Sequence, residues 1–107
     1  MWVKIFTSAE EAKSILALHK PQLLIVGGLR IAVVQAHNGI VAVQDFCTHN
    51  KESLSKGLVN YREEIICPWH GHCFDLHTGR ESQQRSGDLV TYAIRQSEEG
   101  IFIQVPD

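Results

Sequence analysis

Hydrophobic and polar positions change period along this chain, and the changes predict its elements. Trp2 to Phe6 alternates weakly and predicts an edge strand. Ser8-Ala9-Glu10-Glu11 has the form of a helix-capping box, in which the Ser8 hydroxyl accepts from the backbone N–H of position 11. Ala12, Ile15, Leu16 and His19 then recur at the helical period, and Pro21 ends that helix before residue 20. From there the pattern is of β type. Leu23 to Val26 is an apolar run, Gly27-Gly28 is a hairpin signal, and Leu29 to Gln35 is rich in Ile and Val. Asn38-Gly39 is a second hairpin signal, followed by an alternating run from Ile40 to Gln44.

The second half is broken into shorter pieces. Phe46 to Lys56 reads as a loop, Glu64 to Cys67 as a short strand and Pro68 to His72 as a second loop. Phe74-Asp75 and Thr78-Gly79 suggest a short strand and a turn. Leu89 to Arg95 alternates, and Gly100 separates it from a last strand, Ile101 to Val105. One short helix and many short strands with regular turns predict an all-β fold, an antiparallel sandwich or small barrel. At 107 residues the chain is expected to form a single domain over 1–107.

Composition narrows the function classes. Charged residues make up 21% against 44% hydrophobic, a globular balance. Net charge is −2, and the most basic stretch, Arg80 to Arg85, is diluted by Glu81, so no nucleic-acid partner is expected. No apolar run approaches the length of a bilayer span, and the N-terminus lacks the layout of a signal peptide. A cytoplasmic protein without membrane contact is the expectation.

Three cysteines cannot make a complete disulfide framework. All three lie between residues 47 and 73, beside four of the six histidines. The first segment reads Cys47-Thr48-His49. The second reads Cys67-Pro68-Trp69-His70-Gly71-His72-Cys73, and seventeen residues lie between His49 and Cys67. Thiolates and imidazoles suit zinc, iron and iron–sulfur clusters rather than calcium or magnesium. Each short-spaced pair is half a coordination shell. Two occupants accept four such ligands, a single zinc ion or a [2Fe–2S] cluster, and the ligand count leaves both open.

The flanking residues carry a resemblance. Cys47-Thr48-His49 with Leu54-Ser55-Lys56-Gly57 resembles the first cluster loop of Rieske ferredoxins, and Cys67-Pro68-Trp69-His70-Gly71 with Phe74-Asp75 and Thr78-Gly79 resembles their second. The resemblance implies a Rieske-like β fold with a cluster-binding subdomain made of two loops. It implies a [2Fe–2S] cluster held by Cys47 and Cys67 on one iron and by His49 and His70 on the other. Neutral imidazoles in place of two thiolates remove negative charge from the cluster, which raises its potential. Membrane-complex members carry an extra cysteine pair where Glu52 and Trp69 stand here, and hydroxyl side chains where His72 and Phe74 stand. A lower-potential, ferredoxin-like member is therefore expected.

The implied role is a soluble electron carrier, not itself an enzyme and with no catalytic residues of its own. It would take single electrons from a flavoprotein reductase and deliver them to a terminal oxygenase. Other readings are the small subunit of a nitrite-reductase-type complex and, in a different class, a zinc-stabilised binding module without redox role. One departure from the family is the stretch Gln83 to Asp88, which lacks the proline usual in the loop that covers the cluster and suggests a more open cover. Cys73 reads as a small residue packed behind the second loop, and His72 as a neighbour of the cluster. Trp69 could rim a docking surface or pack against its own loop. His77, His19 and His37 read as surface residues on a turn, a helix end and a hairpin.

Overall fold

A strand pair with apolar side chains on both faces divides the molecule into two cores. The computed structural model describes residues 1–106. Three antiparallel sheets make up the fold. The central sheet contains β2 (Gln22–Val26), β3 (Leu29–Ala36), β4 (Gly39–Gln44) and β8 (Thr91–Tyr92), in that order. The second sheet joins the termini in the order β1 (Trp2–Phe6), β10 (Gly100–Gln104) and β9 (Ile94–Ser97). The third and smallest is β5 (Leu58–Val59), β6 (Glu64–Ile66) and β7 (Cys73–Asp75).

Successive strand side chains point to opposite faces. On β3, Ile31 and Val33 enter one core with Phe6, Ala12, Leu16, Ile101 and Ile103. Ala32 and Val34 enter the other, with Leu54, Ile65, Phe74, Leu76 and both Cys47 and Cys67. All four β3 residues have no exposure. The near-continuous apolar run Ile31 to Val34 is thus a shared wall, covered on one face by the terminal sheet and on the other by the third sheet.

The expected all-β sandwich with one short helix is what the chain forms, with three local corrections. The helix α1 spans Ala9–Ile15, with Ser8 accepting from Glu11 N as its N-cap; it ends before residue 20 as expected, but short of His19. Leu16 turns extended (φ −95°, ψ 111°), and beyond it Leu18 bridges in parallel to Gln35. His19 is therefore off the helix, its N–H donating to the Gln35 carbonyl at 3.1 Å. Ile15 is 48% exposed, because the short helix buries only the Ala12 and Leu16 stripe.

The second hairpin turns one residue earlier than its Asn-Gly pair suggests: Ala36 pairs with Gly39, leaving His37-Asn38 as the loop. The His37 N–H is taken by the Glu63 carboxylate at 2.7 Å, a tertiary contact that the local pair does not encode. Gly27-Gly28 does form its turn, with both φ angles positive (56° and 82°). Finally, Leu89 to Arg95 is not one strand. β8 pairs with β4 and β9 with β10, and the chain crosses between sheets at Ala93, whose carbonyl accepts from Gln104 N at 2.9 Å.

Candidate metal centre

The third sheet and its loops hold the Cys/His segments. The first segment leaves β4 through Phe46, whose antiparallel bridge to Ser53 closes the loop. Inside, Cys47 N–H donates to the Glu52 carbonyl (2.9 Å) and Lys51 N–H returns to the Cys47 carbonyl (2.8 Å). Asp45 fastens the base. Its buried carboxylate accepts from Ser53 Oγ at 2.6 Å and Ser55 N at 2.8 Å, and pairs with Arg30 at 3.3 Å.

The second segment is the loop between β6 and β7. Cys67 N–H donates to the His72 carbonyl at 2.8 Å, and His70 and Gly71 turn the chain with φ of 82° and 71°. A non-glycine residue in the left-handed region, as His70 is, is uncommon. Asn50 ties the two loops together: its Oδ1 accepts from Glu52 N at 2.9 Å and lies 3.6 Å from Cys67 Sγ.

The four predicted residues meet. Cys47 and Cys67 are buried as free thiols, at 0% and 1% exposure, while His49 and His70 lie at the surface. The two imidazole rings are 5.4 Å apart between centroids. The His49 N–H points at Cys47 Sγ from 3.3 Å, a donor suited to a thiolate. Burial pushes the Cys67 thiol up, and the neighbouring Cys47 acts in the same direction, so two thiolates here need cationic partners. Two buried polar atoms nearby, Asn50 Nδ2 and His72 Nδ1, have no hydrogen-bond partner among the described residues. Soft, inward-facing thiols, paired outward imidazoles and unpartnered polar atoms around them fit an iron–sulfur group with mixed ligation.

The neighbours sort themselves. His72 is buried and stacks on His49, with centroids 4.0 Å apart and planes within 9°. Cys73 lies half-buried behind the loop, Sγ 3.5 Å from the Gly71 carbonyl, and burial raises its thiol pKa, with Glu64 and Glu81 acting in the same direction. Trp69 is 56% exposed and sits beside His70, at 5.1 Å between centroids.

The proline-free stretch 83–88 has a fastening of its own. Glu81 is fully buried and bridges to Phe74 through its backbone. Its carboxylate accepts from Arg85 N (2.7 Å), Arg85 Nε (3.1 Å), Arg85 Nη2 (3.1 Å), Gln83 N (3.2 Å) and Ser82 Oγ (3.2 Å). The Arg85 side chain holds this carboxyl down at about 2. Thr48 Oγ1 donates to the Gly87 carbonyl at 2.6 Å and joins this loop to the first Cys/His loop. Asp45, Asn50, Glu81 and Arg85 were not singled out from the sequence. The Glu81/Arg85 spacing of four was the available signal, though on its own it marks only a surface helix pair.

With this geometry in place, similarity to known proteins is informative. The family model of the Rieske [2Fe–2S] domain matches residues 2–93, and the chain belongs to that family. Its cofactor is accordingly the family's [2Fe–2S] cluster rather than structural zinc. The chain is 31% identical over 78 residues to the ferredoxin subunit of 3-phenylpropionate/cinnamic acid dioxygenase from Shigella boydii serotype 4 (strain Sb227), covering 72% of this chain and 74% of that one. It is 34% identical over 71 residues to the ferredoxin component of the naphthalene 1,2-dioxygenase/salicylate 5-hydroxylase systems of Ralstonia sp, covering 65% and 67%. Its fold superposes on the ferredoxin of carbazole 1,9a-dioxygenase from Nocardioides aromaticivorans IC177 with a TM-score of 0.82, at 23% identity over 96% of each chain. A ferredoxin in a complex of reduced oxygenase and oxidised ferredoxin of carbazole 1,9a-dioxygenase is 25% identical, with a TM-score of 0.77 over 95% of this chain and 91% of that one. No helix among the described residues is long and apolar enough to cross a membrane.

Proposed function

We propose that this chain is a one-electron carrier, a single Rieske domain over 1–107 that passes electrons from a flavoprotein reductase to a terminal oxygenase in the cytoplasm. Cys47 and Cys67 hold one iron of the cluster, and His49 and His70 hold the other. The observation that carries this reading is the polarity of the site: the two thiols are buried and the two imidazoles are at the surface. The cluster supplies reversible one-electron chemistry at a potential raised by its neutral imidazole ligands.

The protein's own residues do the rest. The inner core of Leu54, Ile65, Phe74 and Leu76 excludes water from the thiolate side. The His49 N–H directs a dipole at Cys47 Sγ. His49 and His70 form the edge that a partner can approach, and exposed Trp69 beside His70 gives that edge an apolar anchor. A reducing compartment suits three free cysteines. Named relatives that serve as ferredoxin components of dioxygenase systems support the choice of partners.

Electron paramagnetic resonance of the dithionite-reduced protein, with iron and acid-labile sulfide assayed on the same sample, tests the ligand assignment. The expected result is a rhombic signal of a nitrogen-ligated [2Fe–2S] centre, two irons and two sulfides per chain, and loss of that signal in His49→Ala and His70→Ala. An unchanged spectrum in either variant overturns the assignment. Failure of the reduced protein to transfer its electron to any Rieske-type terminal oxygenase overturns the role.

A further inference from the structure

At the end of the third sheet opposite the cluster loops, a second group of metal-ligating side chains meets. His19 comes from the segment after α1, His37 from the β3–β4 loop, Glu63 from the turn before β6 and His77 from the turn after β7. One ligand atom each from His19, His37 and Glu63 lies within 4.8 Å of the others. The His19 and His37 rings meet edge to face at 4.7 Å between centroids.

Three features set this group apart from an ordinary surface ion pair. First, His19 Nε2 is buried yet has no hydrogen-bond partner among the described residues. It faces Glu63 Oε2 at 3.9 Å, too far for a hydrogen bond. Ligand atoms across a tetrahedral zinc ion stand about 3.3 Å apart, given bonds of about 2.0–2.1 Å. The gap is close to what an ion would bridge and needs only a small side-chain adjustment. Second, Glu63 is oriented from both sides. Its Oε2 accepts from His37 N at 2.7 Å, and its Oε1 from His77 Nε2 at 2.9 Å. Third, His19 and Glu63 both adopt left-handed backbone conformations, with φ of 59° and 58°. Non-glycine residues bear that cost where surrounding structure enforces it, often at binding sites.

We propose that His19, His37 and Glu63 form a binding site for a zinc-class divalent transition-metal ion, with His77 holding the carboxylate from behind. The donors are two borderline imidazoles and one carboxylate, with a fourth position left to water, a set that suits zinc over calcium or magnesium. The His77–Glu63 contact is the kind of outer hydrogen bond that fixes a ligating carboxylate. An ion here would clip the β3–β4 hairpin and the post-helix segment to the third sheet, and so brace the small sheet that carries the cluster loops. The site is separate from the cluster: four residues of extended chain, about 13 Å, run from Glu63 to Cys67. It does not depend on the electron-carrier reading.

The test is calorimetric titration of tag-free, cluster-loaded protein with zinc sulfate, with electron paramagnetic resonance of the cluster recorded before and after. Expected are one zinc per chain, an unchanged cluster spectrum, and binding weakened at least tenfold in His37→Ala and in His19→Ala. His37 is exposed, so that variant keeps the fold. Imidazole nitrogen shifts on zinc addition should be confined to His19 and His37. Absence of binding at millimolar zinc, binding unaltered in both variants, or zinc uptake only with loss of iron would each overturn the site. Loss of the cluster signal in histidine 49 or 70 variants bears on the other centre alone.

Discussion

Replacing Glu81 by glutamine probes how the proline-free stretch 83–88 is fastened beside the first Cys/His loop. The substitution keeps the side-chain shape but removes the charge and turns an amide NH2 toward donors. Five donor contacts converge on the carboxylate. Its pKa falls from the ordinary 4.5 to about 2, an upper bound of about 3 kcal/mol at neutral pH. The partner side chain, Arg85, is 42% exposed, so solvent screening lowers that to about 2 kcal/mol. An opening free energy reduced by about 2 kcal/mol speeds exchange roughly 30-fold. Hydrogen exchange read by mass spectrometry on cluster-loaded protein measures it. The reporters are the Ser82 and Gln84 amides, whose acceptors, the Cys73 and Glu81 carbonyls, survive the substitution. A peptide from β2 and β3 serves as the reference and should stay unchanged.

The sign with pH follows. Glu81 has a depressed folded-state pKa, so its contribution is full above its ordinary pKa of 4.5 and is lost as pH falls toward about 2. Wild-type loop protection should decline over that window, whereas Glu81→Gln should lack this part of the decline. Acceleration below about threefold at neutral pH, under 1 kcal/mol, would refute the reasoning. The 83–88 stretch would then be held by something other than the Glu81–Arg85 pair.

Further substitutions address other parts of the frame. Phe74→Ala, at a side chain with no exposure in the inner core, should cost about 3–5 kcal/mol; urea unfolding followed by circular dichroism checks it, and a loss below about 1 kcal/mol would contradict the core assignment. Gly57→Ala places a Cβ against the Ile66 carbonyl oxygen next to Cys67. It should lower iron and sulfide content as well as stability, and full cluster loading would count against the close approach of Gly57 to β6. Ser8→Ala removes the N-cap acceptor of α1 and should cost about 1 kcal/mol, seen as a lower urea midpoint without any change in the cluster spectrum.

Local pattern determined the parts of this protein that depend on near neighbours. The Cys-x-His and Cys-x-x-His pairs place candidate ligands within one loop each, so the chemistry they suit was legible before any fold was known. The Ser8–Glu11 cap, the Gly27-Gly28 turn and the apolar run of β3 are likewise local. Tertiary structure decided what depends on register and crossing. The helix stops at Ile15 because Leu18 pairs with Gln35, and the β3–β4 turn shifts because Glu63 takes the His37 N–H. The Leu89–Arg95 run divides because its halves pair with different sheets. Glu81 became a buried anchor, although the sequence around it reads as a basic surface stretch. His19, His37 and His77 read singly as surface residues. They meet at Glu63 only because three separate turns converge at one end of the small sheet. Spacing along the chain carries the ligands of one loop, but a site assembled from four segments exists only once long-range strand pairing has been made.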